Sequence, residues 1–129
     1  MDPITIPATD RSPFVHFDFE NNDFILKGES YPEDITSFYG ELIQKLEVHL
    51  RSLEGGALAF KFELIYFNSS TAKILMGLFE MLDECAKRGT EVTITWQFEE
   101  GDDNMEELGK EFAEDLTSAQ FRFEPILIT

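Results

Sequence analysis

With 129 residues, 43% hydrophobic and 28% charged, the chain has the size and makeup of about one globular domain, which excludes a disordered or low-complexity protein. Ten basic residues against 26 acidic ones give a formal charge of -16. Such a surface repels nucleic-acid phosphates and anionic membranes, and leaves proteins or cations as partners. The single cysteine, Cys85, excludes an internal disulfide framework and suits a reducing compartment. The segment MDPITIPATD lacks the basic and apolar regions of a secretory signal, and no apolar run is long enough to span a bilayer. A soluble cytoplasmic protein is the expectation.

In chain order, residues 1–12 are rich in proline and are expected to form an extended arm. The stretches FVHFDF and DFILKG, split by Glu20-Asn21-Asn22, predict a β-hairpin. From Ile35 the apolar residues Phe38, Tyr39, Leu42, Ile43, Leu46 and Leu50 follow the spacing of one helix face, and Glu54-Gly55-Gly56 ends it. In ALAFKFELIYF, Leu58, Phe60, Phe62 and Leu64 share one face of a central strand. A second helix is predicted from Ser69 to Arg88, with the stripe Ile74, Leu75, Leu78, Phe79, Leu82 and Ala86. VTITWQF alternates strictly, which predicts a strand with one buried face. Met105, Leu108, Phe112 and Leu116 mark a third helix. The last strand is expected in FRFEPILIT, at a sheet edge because Pro125 cannot donate to a ladder. The resulting expectation is a single α/β domain over residues 1–129, a mixed sheet in the order ββαβαβαβ with all three helices on one face.

Chemistry has few footholds. His16 and His49 stand apart with no cysteine pattern near them, and read as surface or packing residues. The acidic run of Glu99, Glu100, Asp102, Asp103, Glu106 and Glu107 lacks the spacing of a calcium loop and reads as a solvated loop with a favourable acidic helix start. No phosphate-binding glycine loop, zinc motif or hydrolase triad context is present. Neither a catalytic residue, a metal nor a cofactor is expected. What stands out is Asn68-Ser69-Ser70-Thr71, between the central strand and the second helix. Asn68 is a good N-cap, and capping alone is the bland account of the cluster. The functional account is a phosphorylation switch. Loops at the carboxyl ends of strands face partners in α/β sheets, and a phosphate at a helix start meets free N–H groups and a favourable dipole.

Three stretches, GESYPED (28–34), YFNSSTAK (66–73) and TITWQFE (93–99), resemble the SiaC-type family of bacterial regulatory phosphoproteins, and more distantly the STAS-like anti-sigma-factor antagonists. The resemblance covers nearly the whole chain. It implies a STAS-like fold and a non-enzymatic partner-switching module. A hydroxyl after the strand-terminal Asn is the acceptor in that family, which implies phosphorylation of Ser69, with Ser70 and Thr71 behind it. The implied partners are a histidine-kinase-like serine/threonine kinase, a PP2C-type phosphatase and a diguanylate cyclase. The unmodified protein would activate the cyclase, raising cyclic di-GMP and favouring aggregation or biofilm. The expected partner-binding residues are Asn68, Ser69, Ser70, Thr71 and Lys73, with Ser30, Tyr31, Pro32 and Glu33. Two other readings remain: an anti-sigma-factor antagonist acting on an anti-sigma kinase, which pull-down of that kinase with a sigma factor would reveal, and a small acidic metal protein or enzyme, which cation calorimetry would reveal.

Overall fold

A computed structural model describes residues 1–127. The elements are β1 (Ile4–Ile6), β2 (Phe14–Asp18), β3 (Asp23–Ser30), α1 (Ile35–Ser52), β4 (Ala57–Phe67), α2 (Ser69–Lys87), β5 (Glu91–Glu99), α3 (Asp103–Glu114) and β6 (Gln120–Ile126). The expected order thus gains a strand. The arm over residues 1–12 contains β1, which pairs antiparallel with β2 through Ile4–Phe17, Thr5–His16 and Ile6–Val15. The alternating Ile-Thr-Ile places Ile4 and Ile6 against the core while Thr5 faces out, a pattern too short to stand out among prolines. The final strand was expected to reach Thr129; it ends at Ile126, and residues 128–129 lie outside the described residues.

The sheet runs β1-β2-β3-β4-β5-β6 in sequence order. The first three strands are antiparallel neighbours, and β3 to β6 are parallel. Each parallel strand is added beside the previous one, and right-handed crossovers then lay every helix on the same side. Burial agrees: Leu58, Phe60, Phe62, Leu64, Val92, Ile94, Trp96 and Phe98 point into the core, whereas Ala59, Lys61, Thr93 and Thr95 do not. Aromatic rings fill that layer. Phe60 and Phe62 stack at 4.4 Å, and Phe62 and Phe79 lie 4.9 Å apart. The Trp96 Nε1–H donates to the Met105 carbonyl at 3.0 Å, tying α3 to β5. Gly109 belongs to the same contact, because a Cβ there would lie 2.6 Å from the indole ring. Pro125 sits on the edge strand, as its missing N–H requires.

One irregularity shapes the region around the hydroxyl cluster. Gly28 pairs with Leu64, but Glu29 pairs with Tyr66, so Ile65 is an extra residue on β4. Gly28 adopts φ 113, which glycine takes without a Cβ penalty. The bulge resets the alternation of β4. Leu64 faces in, Ile65 and Tyr66 are both exposed, and Phe67 turns back towards Trp96 and Phe112.

Candidate functional site at the start of α2

α2 begins where β4 leaves the sheet, and its first turn is built from Asn68 to Thr71. Asn68 has extended backbone (φ -88, ψ 177), and its Oδ1 accepts the Thr71 N–H at 2.9 Å. The Asn68 carbonyl accepts the Ala72 N–H at 3.0 Å. The N–H groups of Ser69 and Ser70 have no hydrogen-bond partner among the described residues. They are the free donors every helix start leaves, at the positive end of the helix dipole.

The cluster divides into a buried part and an exposed part. Thr71 is fully buried, and its hydroxyl donates to the Ser30 carbonyl at 3.0 Å. The Ser30 Oγ, also fully buried, lies 3.0 Å from Thr71 Oγ1 and 2.6 Å from the Tyr39 hydroxyl. The Asn68 N–H donates to the same Ser30 carbonyl at 3.2 Å. Thus β3, α1 and α2 meet in a neutral hydroxyl network with no orphaned side-chain atom among the described residues. Burial pushes the Tyr39 hydroxyl up from 10.0 to about 12, with the Ser30 hydrogen bond opposing the shift. Ser69 and Ser70 are exposed. Lys73 is exposed one turn further along, and is in no ion pair among the described residues.

The structure therefore brings the expected residues together but sorts them. Asn68, Ser69, Ser70 and Lys73 line the surface at the helix start. Tyr31, half-buried, sits beside them through the Ser30–Asn68 bond, with Pro32 and Glu33 following. Ser30 and Thr71 were expected on the partner surface; they lie beneath it, and act by holding the helix start in place. Burial also shuts the Thr71 hydroxyl off from solvent.

Sequence reasoning missed three neighbours. Ile65 and Tyr66 are 63% and 51% exposed, and the Tyr66 ring meets Tyr31 edge-on at 5.6 Å. Uninterrupted alternation would have turned Tyr66 inward, and only Gly28 hints at the bulge. Arg11 is the third: its carbonyl accepts the Tyr31 N–H at 2.7 Å and its guanidinium pairs with Glu33, so the N-terminal segment braces the SYPE loop. At the start of α1, the Asp34 carboxylate accepts the Ser37 N–H at 3.0 Å, and the Ser37 N–H and hydroxyl hold its pKa below the usual 3.8.

No group of three or more His, Cys, Asp or Glu side chains among the described residues is arranged to hold a metal ion. The acidic run instead starts α3, with the Asp102 carboxylate accepting the Met105 N–H at 3.0 Å. His49 Nε2 lies 2.6 Å from Asn22 Oδ1 between the rings of Phe19 and Phe24, a packing position in which burial lowers its pKa. No helix of the described residues is long and apolar enough to cross a membrane.

Comparison with known proteins gives a consistent answer. The model of the SiaC family of regulatory phosphoproteins matches residues 6–126. An uncharacterised protein of Pseudomonas aeruginosa (strain UCBPP-PA14) is 30% identical over 119 residues, covering 91% of this chain and 92% of the relative. The crystal structure of apo-SiaC from Pseudomonas aeruginosa superposes with a TM-score of 0.87 at 28% identity, over 96% of this chain and 99% of that one. A chain in the crystal structure of the diguanylate cyclase SiaD in complex with its activator SiaC, from the same organism, superposes at 0.89 with 27% identity, over 95% and 99%. The chain belongs to the SiaC family.

Proposed function

We propose that this SiaC-family chain is a non-enzymatic switch: unmodified, it binds and activates a diguanylate cyclase, and phosphorylation of Ser69 releases the cyclase. A histidine-kinase-like serine/threonine kinase adds the phosphate and a PP2C-type phosphatase removes it. The output is cyclic di-GMP signalling in the cytoplasm, directed towards aggregation or biofilm. The family membership and the complex of the relative SiaC with SiaD support the cyclase as partner. The helices on one face of a mixed sheet support kinship with the STAS antagonists.

The observation that carries the choice of residue is the division of the hydroxyl cluster. Ser69 is exposed directly after the Asn68 cap, while the Thr71 hydroxyl is buried and engaged. A phosphate on Ser69 meets unpaired N–H groups and the positive end of the dipole, so the fold tolerates it. Lys73, four residues on, stands on the same side of the helix. At a partner interface the same phosphate buries charge, and disrupting a buried polar contact costs about 2–5 kcal/mol.

Mass mapping after incubation with kinase and ATP is expected to place one phosphate on Ser69. Titration calorimetry against the cyclase is expected to show Ser69→Asp weakened by roughly 30-fold to several-thousand-fold. Ser69→Ala is expected to bind like wild type and resist the kinase. Equal affinity for Ala and Asp removes the charge mechanism, and a phosphate on Ser70 shifts the acceptor by one residue.

A further inference from the structure

The sheet has two free edges, β1 and β6, and they differ. β1 is three residues long and carries no charge. β6 runs for seven residues, from Gln120 to Ile126. A row of unpaired backbone groups along such an edge is a template for another strand, and proteins blunt it with charged side chains or proline. β6 carries one charge of each sign, and its proline lies near one end.

The direction of the β6 backbone follows from one bond. The Ile126 carbonyl accepts the Glu100 N–H at 2.8 Å, so it faces back towards β5. Backbone groups alternate in direction along a strand. Those of Arg122 and Glu124 therefore face β5 as well, and those of Phe121, Phe123 and Pro125 face outward. The outward set offers N–H donors at Phe121 and Phe123 and only a carbonyl at Pro125. The Phe121 ring lies 5.6 Å from Phe79 and the Phe123 ring lies against α3 at Gly109, so both turn to the helix layer. Phe123 nevertheless remains 37% exposed. Arg122 and Glu124 share the opposite, solvent face. Arg122 is in no ion pair among the described residues. Glu124 accepts the Gln97 side-chain amide at 2.6 Å through Oε1, which leaves Oε2 to a further donor.

We propose that β6 is the pairing edge for a second copy of this chain. Two β6 strands join antiparallel about a two-fold axis at Phe123, and the sheet continues from one copy into the other. In that register the two Phe123 residues exchange N–H···O bonds, and each Phe121 N–H donates to the Pro125 carbonyl opposite. Proline then stands where only its acceptor is used. Arg122 of each copy lies directly across from Glu124 of the other, and such opposite-charge pairs stabilise a ladder. Other registers are penalised by the same two side chains. A parallel, in-register pair would set Arg122 against Arg122, and a two-fold axis at residue 122 or 124 would oppose two arginines or two glutamates. The charges thus select one register. The pairing closes on itself, so it makes a dimer and not a fibre. Seven residues of edge fall below the roughly 1,200 Å² that stable complexes bury, so the dimer is weak and reversible. The charge of -16 on each copy opposes association at low salt. β6 lies two strands from β4, whose end leads into α2, so the pairing stands apart from the switch.

The test is sedimentation equilibrium of the full chain in about 0.15 M salt, from about 10 μM to about 1 mM. A monomer–dimer equilibrium with no larger species is expected. Dilution is expected to move the amide resonances of Phe121 and Phe123 and to leave those of β1 in place. Arg122→Glu and Glu124→Arg are each expected to weaken the dimer about tenfold, since each turns both cross-strand attractions into repulsions. The variant carrying both changes restores the pairs with their signs exchanged, and is expected to dimerise within about threefold of wild type. Lys61→Glu, on the solvent face of β4, changes the net charge as Arg122→Glu does and is expected to leave the dimer unchanged. Circular dichroism of all these variants is expected to match wild type, because the substituted side chains are exposed. The dilution shifts of the wild type decide the matter even if a variant fails to fold. A wild type that stays monomeric across the range, single reversals without effect, a double variant as weak as the single ones, or resonances that move at β1 would each overturn the proposal.

Discussion

The two ends of α2 solve the same problem with different chemistry. At its head, the buried hydroxyls of Ser30, Tyr39 and Thr71 share hydrogen bonds and carry no charge. Near its foot, the buried Asp83 carboxylate accepts the N–H groups of Thr117, Ser118 and Ala119 at 2.8–3.2 Å, holding the segment that leads into β6. Burial works against ionising Asp83. The three backbone donors, with Lys87 behind them, outweigh it and hold the pKa below 3.8. The difference teaches where a switch can be placed. A neutral network keeps its geometry over a wide pH range and leaves charge to be added on the surface above it. A carboxylate already committed to three donors can only be lost.

The largest expected effect is at the foot. Asp83→Ala leaves three backbone donors without their acceptor and is expected to cost about 3 kcal/mol in denaturant unfolding. Because the folded pKa of Asp83 is depressed, its stabilisation is present above 3.8 and is lost as pH falls through the folded value. The acid limb of the wild-type stability curve is therefore expected to be flatter in Asp83→Asn. An unchanged limb would mean that other carboxylates govern acid unfolding.

A smaller effect is expected at the head. Thr71→Val keeps the shape and removes the hydroxyl, and is expected to cost about 1–2 kcal/mol. Phosphate incorporation by the kinase should remain at one per chain. A loss of that phosphate would show the buried hydroxyl to be an acceptor and would break the division between the two layers.

The smallest effect is Tyr39→Phe, expected to cost about 1 kcal/mol at neutral pH. It has a distinctive alkaline signature. The folded pKa is raised from 10.0 to about 12, so the wild-type contribution is full below 10.0 and is lost as pH rises towards 12. Stability curves of the two proteins should converge over that window. Parallel curves would place the Tyr39 hydroxyl outside the network.

Periodicity along the chain determined much of this protein. The apolar spacing of α1 and α2, the strict alternation of β5 and the position of Pro125 specified three helices on one face of a sheet, because each pattern reflects a side-chain repeat that the local backbone imposes. Asn68 before three hydroxyls likewise marked the helix start, since capping is a local bond to a residue three positions on. What only tertiary structure decided are contacts between distant segments. β1 is a strand because β2 offers it an edge, and Tyr66 is exposed because Gly28 shifts the register of a neighbouring strand. Asp83 is buried because a loop 34 residues away supplies its donors. Thr71 was indistinguishable from Ser69 along the chain. Ser30, 41 residues earlier, draws its hydroxyl inward and leaves Ser69 facing solvent, since a helix start can satisfy one side chain against the core only by turning its neighbours away.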